Sequence, residues 1–329
     1  MPSPAASIII PCYRQAHFLP QAVQSALGQS IRDVEAVVVD DGSPDDPVER
    51  LGDLARDPRV VIVRQENRGL PAARNAGVLA SHGRFLNFLD ADDWLEPEFC
   101  ERLVTVIESG QAMGFVYCDL RRVFENQDDA SESQREYSVG RSRRVTSGNI
   151  LPSLLVGGYF TPNTALVPRR ILDSVGLFDP ELGGNADWDL WLRIAAAGYP
   201  ARYVDEKLAN YRIHAHGMSS DAAHMSETRL AALRKLLRAS PDAVAEGLEE
   251  LRRAVEEAAG LHPWIRSLEE ANAWNAQQAN NWRTEAERLE KEIEILQAQA
   301  ELLTARLRRV PAPLRRLLER YPLRIEDRR

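Results

Sequence analysis

The chain lacks any apolar run near the ~20 residues that span a bilayer, and its first residues lack the basic start and continuous apolar stretch of a signal peptide. A cytoplasmic location is therefore expected. Cysteine is scarce: Cys12, Cys100 and Cys118 are widely spaced and odd in number, which argues against a disulfide framework and against a zinc site. Positive charge is also short. With 41 Lys and Arg against 49 Asp and Glu, the net charge is −8, which disfavours a general nucleic-acid binder, because phosphate binding depends on accumulated cations. No Gly-x-Gly-x-x-Gly follows the first apolar run "SIIIP", so a dinucleotide-binding Rossmann domain is disfavoured as well.

What is present is a chain of 329 residues, 44% hydrophobic, enough for one large domain with an appendage or for two domains. Its charge is uneven. From Thr304 to Arg329 there are nine Arg against Glu319, Glu326 and Asp327, a balance of +6, which leaves −14 on the remainder.

The first part alternates short β-rich runs with helical patterns, the rhythm of βα units around a mostly parallel sheet. Ser7–Ile10, Val34–Val39, Val60–Val63, Phe85–Leu89 and Gly114–Tyr117 are the expected strands, and Phe18–Leu27 and Glu98–Ile107 the expected helices. "DDGSPDDP" at Asp40–Pro47 supplies turn and helix-start residues. The polar stretch Glu125–Arg144 has no periodicity and reads as a mobile loop. Apolar structure returns at Ala165–Leu182, in a helical Asp189–Gly198 and in a strand-like Ala201–Asp205, a second half expected to fold onto the first half's sheet.

From about Met225 the composition turns to Ala, Leu, Glu, Arg and Gln. Between Leu268 and Leu307 one seam recurs at alternating steps of four and three, roughly six heptads of coiled coil, with Asn272 and Asn275 available to fix register and partner number. Self-association is expected there. Pro311 and Pro313 end the seam, and Leu314, Leu317, Leu318 and Tyr321 then line a stripe beside Arg315, Arg316 and Arg320. Such a helix suits an anionic membrane surface or the cap of a partner helix.

The chemistry is concentrated in "FLNFLDADDWLEP", where an apolar run ends in Asp90, Asp92 and Asp93. Open α/β sheets deliver functional groups at the carboxyl ends of their strands. Three close carboxylates repel one another unless a cation neutralises them, and Mg²⁺ or Mn²⁺ is held by one or two carboxylates together with substrate phosphates. A solvated helix cap is the plainer reading of one such motif alone.

Its company changes the balance. "ASIIIPCYRQAHFLPQAVQSALGQS", "VEAVVVDDGSPDD" and "RQENRGLPAARNAGVLASHGRFLNFLDADDWLEP" together resemble the family 2 glycosyltransferases, over roughly Ala6 to Asp221. The resemblance implies an α/β fold of GT-A type over 1–225, followed by a helical linker at 226–265, the coiled coil at 266–310 and the basic amphipathic tail at 311–329. It implies transfer of a sugar, with inversion, from a nucleotide-sugar donor, a UDP-sugar before others, to the hydroxyl of a glycan, lipid-linked or protein acceptor.

Carried over by position, the resemblance places Pro11, Tyr13, Asp40, Asp41, Asn67, Gly69, Arg74 and Asp90 at the nucleotide, with Asp41 reading the base and Arg74 near the phosphates. Asp92, Asp90, Asp93 and His214 are implied ligands of Mn²⁺ or Mg²⁺, with Asp92 first and His216 a weaker match than His214. In "GGNADWDLWLRIAAAGY" the general base aligns with Asp187, while Asp189, Trp188 and Asn163 fall on the acceptor side. Ala186 stands where many relatives have Glu, which keeps open a non-catalytic, oligomeric interaction protein built on a degenerate transferase domain. A phosphatase of the haloacid-dehalogenase type also uses Asp-x-Asp after a strand. It places the pair after its first strand, however, and here the pair follows the fourth.

Overall fold

The computed structural model describes residues 4–109, 112–125, 132–137, 147–157, 160–214 and 222–254. The expected coiled coil at 266–310 and tail at 311–329 lie outside the described residues. The described chain falls into two compact units, one running to Ile150 and resuming after 157 to Leu236, the other formed by 151–157 with the chain from Leu237. The helix Ala222–Ala239 continues across position 225, where the sequence suggested a boundary. Among the described residues no helix is long and apolar enough to cross a membrane.

In the first unit, β1 (Ala6–Cys12), β2 (Val34–Asp41), β3 (Val60–Gln65) and β4 (Phe85–Phe88) run parallel. β1 is buried along its whole length, as an interior parallel strand covered on both faces requires. Its alternate residues serve different layers. Ile8 and Ile10 join the core with Leu19, Ala22, Val23 and Ala26 of α1 (Leu19–Leu27) and with Phe99, Leu103 and Ile107 of α4 (Phe99–Glu108). Ile9 faces the other layer, where α3 (Leu70–Ala80) approaches so closely that a Cβ at Gly77 would sit 2.3 Å from the Ile9 side chain.

The strand order is β3-β2-β1-β4-β8-β6-β9-β5, formed with β5 (Trp94–Leu95), β6 (Phe115–Glu125), β8 (Ala165–Pro168) and β9 (Ala201–Ile213). The expectation that the second half joins the same sheet holds for this unit. Because β1 has β2 on one side and β4 on the other, the chain reverses direction across the sheet there, and a crevice opens at the carboxyl ends of these strands. β9 slips register against β6 at Cys118–Leu120, and its far end reaches β5 beside the "DADD" segment.

The loop expected over Glu125–Arg144 is corrected in part: β7 (Glu132–Tyr137) pairs antiparallel with β6. An edge strand pairs on one side only and needs no apolar period, so its polar sequence concealed it.

At the opposite end of the sheet, the Ser7 hydroxyl donates to Glu35 Oε1 at 2.6 Å and accepts the Gly83 N–H at 2.7 Å. A Cβ at Gly83 would stand 2.4 Å from Ser7 Oγ and 2.6 Å from the Ala6 carbonyl carbon. Gly83→Ala is expected to cost about 2–3 kcal/mol through overpacking and the displaced hydrogen bond. Urea unfolding checks this, and an unchanged midpoint would contradict it.

Candidate active site

The crevice is built from three loops tied to one another. β2 ends in Asp40 and Asp41, and Gly42 follows at φ +68°, where a Cβ would lie 2.8 Å from the Asn67 amide nitrogen. Asp41 is buried and accepts from Gln65 Nε2 at 2.7 Å and from the backbone N–H groups of Arg68 and Gly69, each at 2.9 Å. It thus latches the segment that precedes α3. Asp40 accepts the Ser43 N–H at 2.9 Å, while Asn67 is exposed and accepts the Gly69 N–H at 3.3 Å.

After β1, Pro11 is buried in the strand and Tyr13 is exposed. The Arg14 N–H donates to Ser43 Oγ at 2.7 Å and the Ala16 N–H to Asp45 Oδ2 at 2.9 Å. Burial works to raise the Asp45 carboxyl, but the Ser43 hydroxyl and Ala16 N–H hold it below its ordinary value.

The three carboxylates after β4 each take a separate set of partners. Asp90 accepts Arg74 Nη2 at 2.7 Å, and burial pushes its carboxyl up against the pull of the Arg74 charge. Arg74 itself is 3% exposed, lies over the Phe178 ring at 5.5 Å and has no partner at Nε among the described residues. The structure thus places Arg74, expected near the phosphates, in a buried pair with Asp90. Asp92 Oδ2 accepts Gln15 Nε2 at 2.9 Å and lies 2.9 Å from His214 Nε2. Asp93 is 1% exposed and uses both oxygens internally, accepting Asn163 Nδ2 at 2.7 Å and the Arg212 N–H at 2.9 Å. Burial and then the Asp92 and Asp90 charges push its carboxyl well up.

No three His, Cys, Asp or Glu side chains converge into a ready-made cation cage among the described residues. Of the four expected ligands, Asp92 and His214 lie within 2.9 Å of each other, while Asp90 is paired with Arg74 and Asp93 with Asn163 and the Arg212 N–H. A carboxylate oxygen beside an imidazole nitrogen fits a divalent ion whose coordination is completed by water and a diphosphate. His216 lies outside the described residues.

Asp187 opens the helix Ala186–Ala196 and accepts the Trp188 N–H at 2.8 Å. Burial raises its carboxyl, the Arg74 charge lowers it and the Asp90 charge raises it. Asp187, Arg74 and Asp90 therefore share one electrostatic environment. Ala186 is fully buried.

The residues expected on the acceptor side are all buried. Asp189 is 1% exposed and binds Arg193 Nε at 2.8 Å and Lys235 Nζ at 3.3 Å. Arg193 in turn donates to the Val175, Gly176 and Leu177 carbonyls, so Asp189 anchors its helix to that turn. Asn163 is wholly buried against Asp93, and Trp188 is covered by the Arg229 guanidinium at 4.8 Å.

Two residues escaped the sequence reading. Gln15 carries no motif signal, yet its amide holds Asp92. Arg212 donates from Nε to the Asp92 carbonyl at 3.0 Å and from Nη2 to Gln21 at 2.7 Å, with its guanidinium between the Phe18 and Trp94 rings. Its signal was its place near the end of β9, two residues before His214.

The family pattern described as Glycosyl transferase family 2 matches residues 7–176. An uncharacterized glycosyltransferase of Rickettsia prowazekii (strain Madrid E) is 31% identical over 229 residues, covering 68% of this chain and 69% of that one. Chondroitin synthase of Escherichia coli is 28% identical over 217 residues, covering 66% of this chain but 30% of the synthase. Among solved structures, S. aureus TarS 1-349 in complex with UDP-GlcNAc superposes with a TM-score of 0.58 at 17% identity, covering 91% of both chains. The mannosyltransferase PcManGT from Pyrobaculum calidifontis, in complex with GDP-Man and Mn²⁺, gives 0.56 at 18% identity, covering 91% of this chain and 87% of that one. These structural likenesses are likenesses of fold.

Proposed function

The chain belongs to glycosyl transferase family 2, and we propose that it transfers a sugar, with inversion, from a nucleotide sugar to an acceptor hydroxyl, using Asp187 as general base. The Arg74–Asp90 pair, whose charges both act on Asp187 and which lies two residues from Asp92 with its His214 contact, carries this reading. Asp187 takes the proton of the acceptor hydroxyl as its oxygen attacks the anomeric carbon. The bond from that carbon to the phosphate oxygen breaks, and the nucleoside diphosphate leaves on the opposite face. A carboxyl raised by burial is a stronger base, provided the pH keeps it ionised. Arg74 opposes the rise and so helps to keep Asp187 charged.

Asp92 and His214 would hold Mn²⁺ or Mg²⁺, which supplies positive charge to the departing diphosphate. Gln15 and Arg212 hold Asp92 and its backbone in place. The TarS complex with UDP-GlcNAc and the mannosyltransferase complex with GDP-Man and Mn²⁺ support a nucleotide-sugar donor and a divalent ion, the sequence likeness to a chondroitin synthase supports a role in glycan synthesis, and a UDP-sugar and a cell-surface product are the finer reading proposed. A non-catalytic reading rests on Ala186; the retained Asp187 speaks against it.

Asp92→Asn tests the ion site. Mn²⁺ is expected to tighten UDP binding to the wild type by about tenfold over EDTA, ~1.4 kcal/mol, and Asp92→Asn to abolish that gain in calorimetric titration. A variant that keeps the full gain would place the ion elsewhere.

A further inference from the structure

Two non-glycine residues among those described have positive φ, Asp46 at +46° and Arg14 at +58°. Asp46 has a local reason, since it caps the helix Pro47–Leu51 and its side chain accepts the Glu49 N–H. Arg14 has none of its own: the left-handed region suits glycine and asparagine, and a long side chain pays for it in steric crowding.

The conformation is imposed by three successive residues fastened to three places. Arg14 donates its N–H to Ser43, Gln15 its amide to Asp92 and Ala16 its N–H to Asp45. Asparagine would make the same backbone bond with less strain, so the loop does not explain why arginine stands here. Strain retained in this way concentrates at binding sites.

The side chain is exposed, and its guanidinium lies over the ring of Tyr13, itself 39% exposed, at 5.2 Å. It makes no ion pair among the described residues. Of the other guanidinia around these carboxylates, Arg74 is committed to Asp90 and Arg212 to Gln21 and the Asp92 carbonyl, Arg64 lies 4.0 Å from Asp40, and Arg68 is exposed beside the Asp41 latch. The crevice is otherwise rich in carboxylates, at Asp40, Asp41, Asp90, Asp92 and Asp187. A nucleoside diphosphate entering it meets like charge unless an accessible cation answers it, and a guanidinium offers paired donors to phosphate oxygens.

We infer that Arg14 is a donor-binding residue, presented by its left-handed backbone over Tyr13 to contact the diphosphate of the nucleotide. The inference rests on the nucleotide-sugar reading and adds to it the cation that receives the phosphates.

Calorimetric titration of the full chain with UDP and uridine tests it, with GDP and guanosine used if those are what the wild type binds. Arg14→Asn, which suits the left-handed backbone, is expected to weaken the diphosphate about tenfold or more, change the nucleoside by less than about twofold and leave the melting temperature equal or higher. Arg14→Lys should fall between the two, and Arg68→Ala, at the other exposed guanidinium of these loops, should stay within about twofold of wild type. Unchanged diphosphate affinity in Arg14→Asn would overturn the inference. So would equal losses for diphosphate and nucleoside, which would mean a shaped base pocket. A wild type that binds neither UDP nor GDP would overturn the donor reading itself.

Discussion

Asp187→Asn is expected to lower kcat for sugar transfer by about 10²- to 10⁴-fold, the range for loss of a general base, and to leave UDP affinity within about twofold. Asparagine keeps the shape and the oxygen that accepts the Trp188 N–H, so the helix start survives. Its amide cannot take the acceptor's proton. The pH dependence gives a second signature. Burial holds the Asp187 carboxyl above its ordinary value of 3.8, so the acid limb of the wild-type rate is displaced upward from that value.

The sign of the stability effect separates this role from a structural one. A carboxyl whose folded pKa is raised stabilises the fold at acid pH and loses that contribution as pH rises through the raised value. At neutral pH, Asp187→Asn is therefore expected to melt no lower than wild type. A large loss of kcat with a lowered melting point would point to a structural role, and an unchanged kcat would remove Asp187 as the base.

Arg74→Met has the largest expected effect on stability, a loss of about 3–5 kcal/mol in urea unfolding at neutral pH. The substitution removes the 2.7 Å partner of Asp90 and the charge that holds Asp187 down, leaving two buried carboxyls without that cation. Both then titrate higher still, so the loss shrinks as pH falls and they are protonated. Adding Asp90→Asn to Arg74→Met is expected to restore part of the stability, because the neutral amide no longer needs the pair. A single variant within about 1 kcal/mol of wild type would show that the pair carries little of the fold.

The parallel half of the sheet was legible because interior strands must read as apolar runs, and "SIII", "VEAVVV" and "FLNFL" do. β5, β8 and the far end of β9 were not, being short or polar and defined by partners distant in the chain. The motifs located Asp41, Asp92 and Asp187 at strand and helix ends, where an open sheet gathers its functional groups, with Asp41 itself buried. They did not apportion the work among adjacent acids. Asp92 and Asp93 are neighbours of the same type, and only the Arg212 N–H and Asn163, both far along the chain, draw Asp93 inward. Asp189 reads as an acceptor-side acid until Arg193 and Lys235 are found around it. Arg74 likewise resembles a phosphate ligand in a linear motif, and its buried pairing with Asp90 follows from α3 packing against the sheet at Gly77.

The most direct measurement is release of nucleotide from a panel of nucleotide sugars, with and without acceptor sugars, in Mn²⁺ and in EDTA. Turnover of at least one donor by the wild type in Mn²⁺ is expected, with a product of inverted anomeric configuration and loss of turnover in EDTA and in Asp187→Asn. Tight binding of UDP with Mn²⁺ and no turnover of any donor would contradict that expectation and favour the non-catalytic reading that Ala186 keeps open.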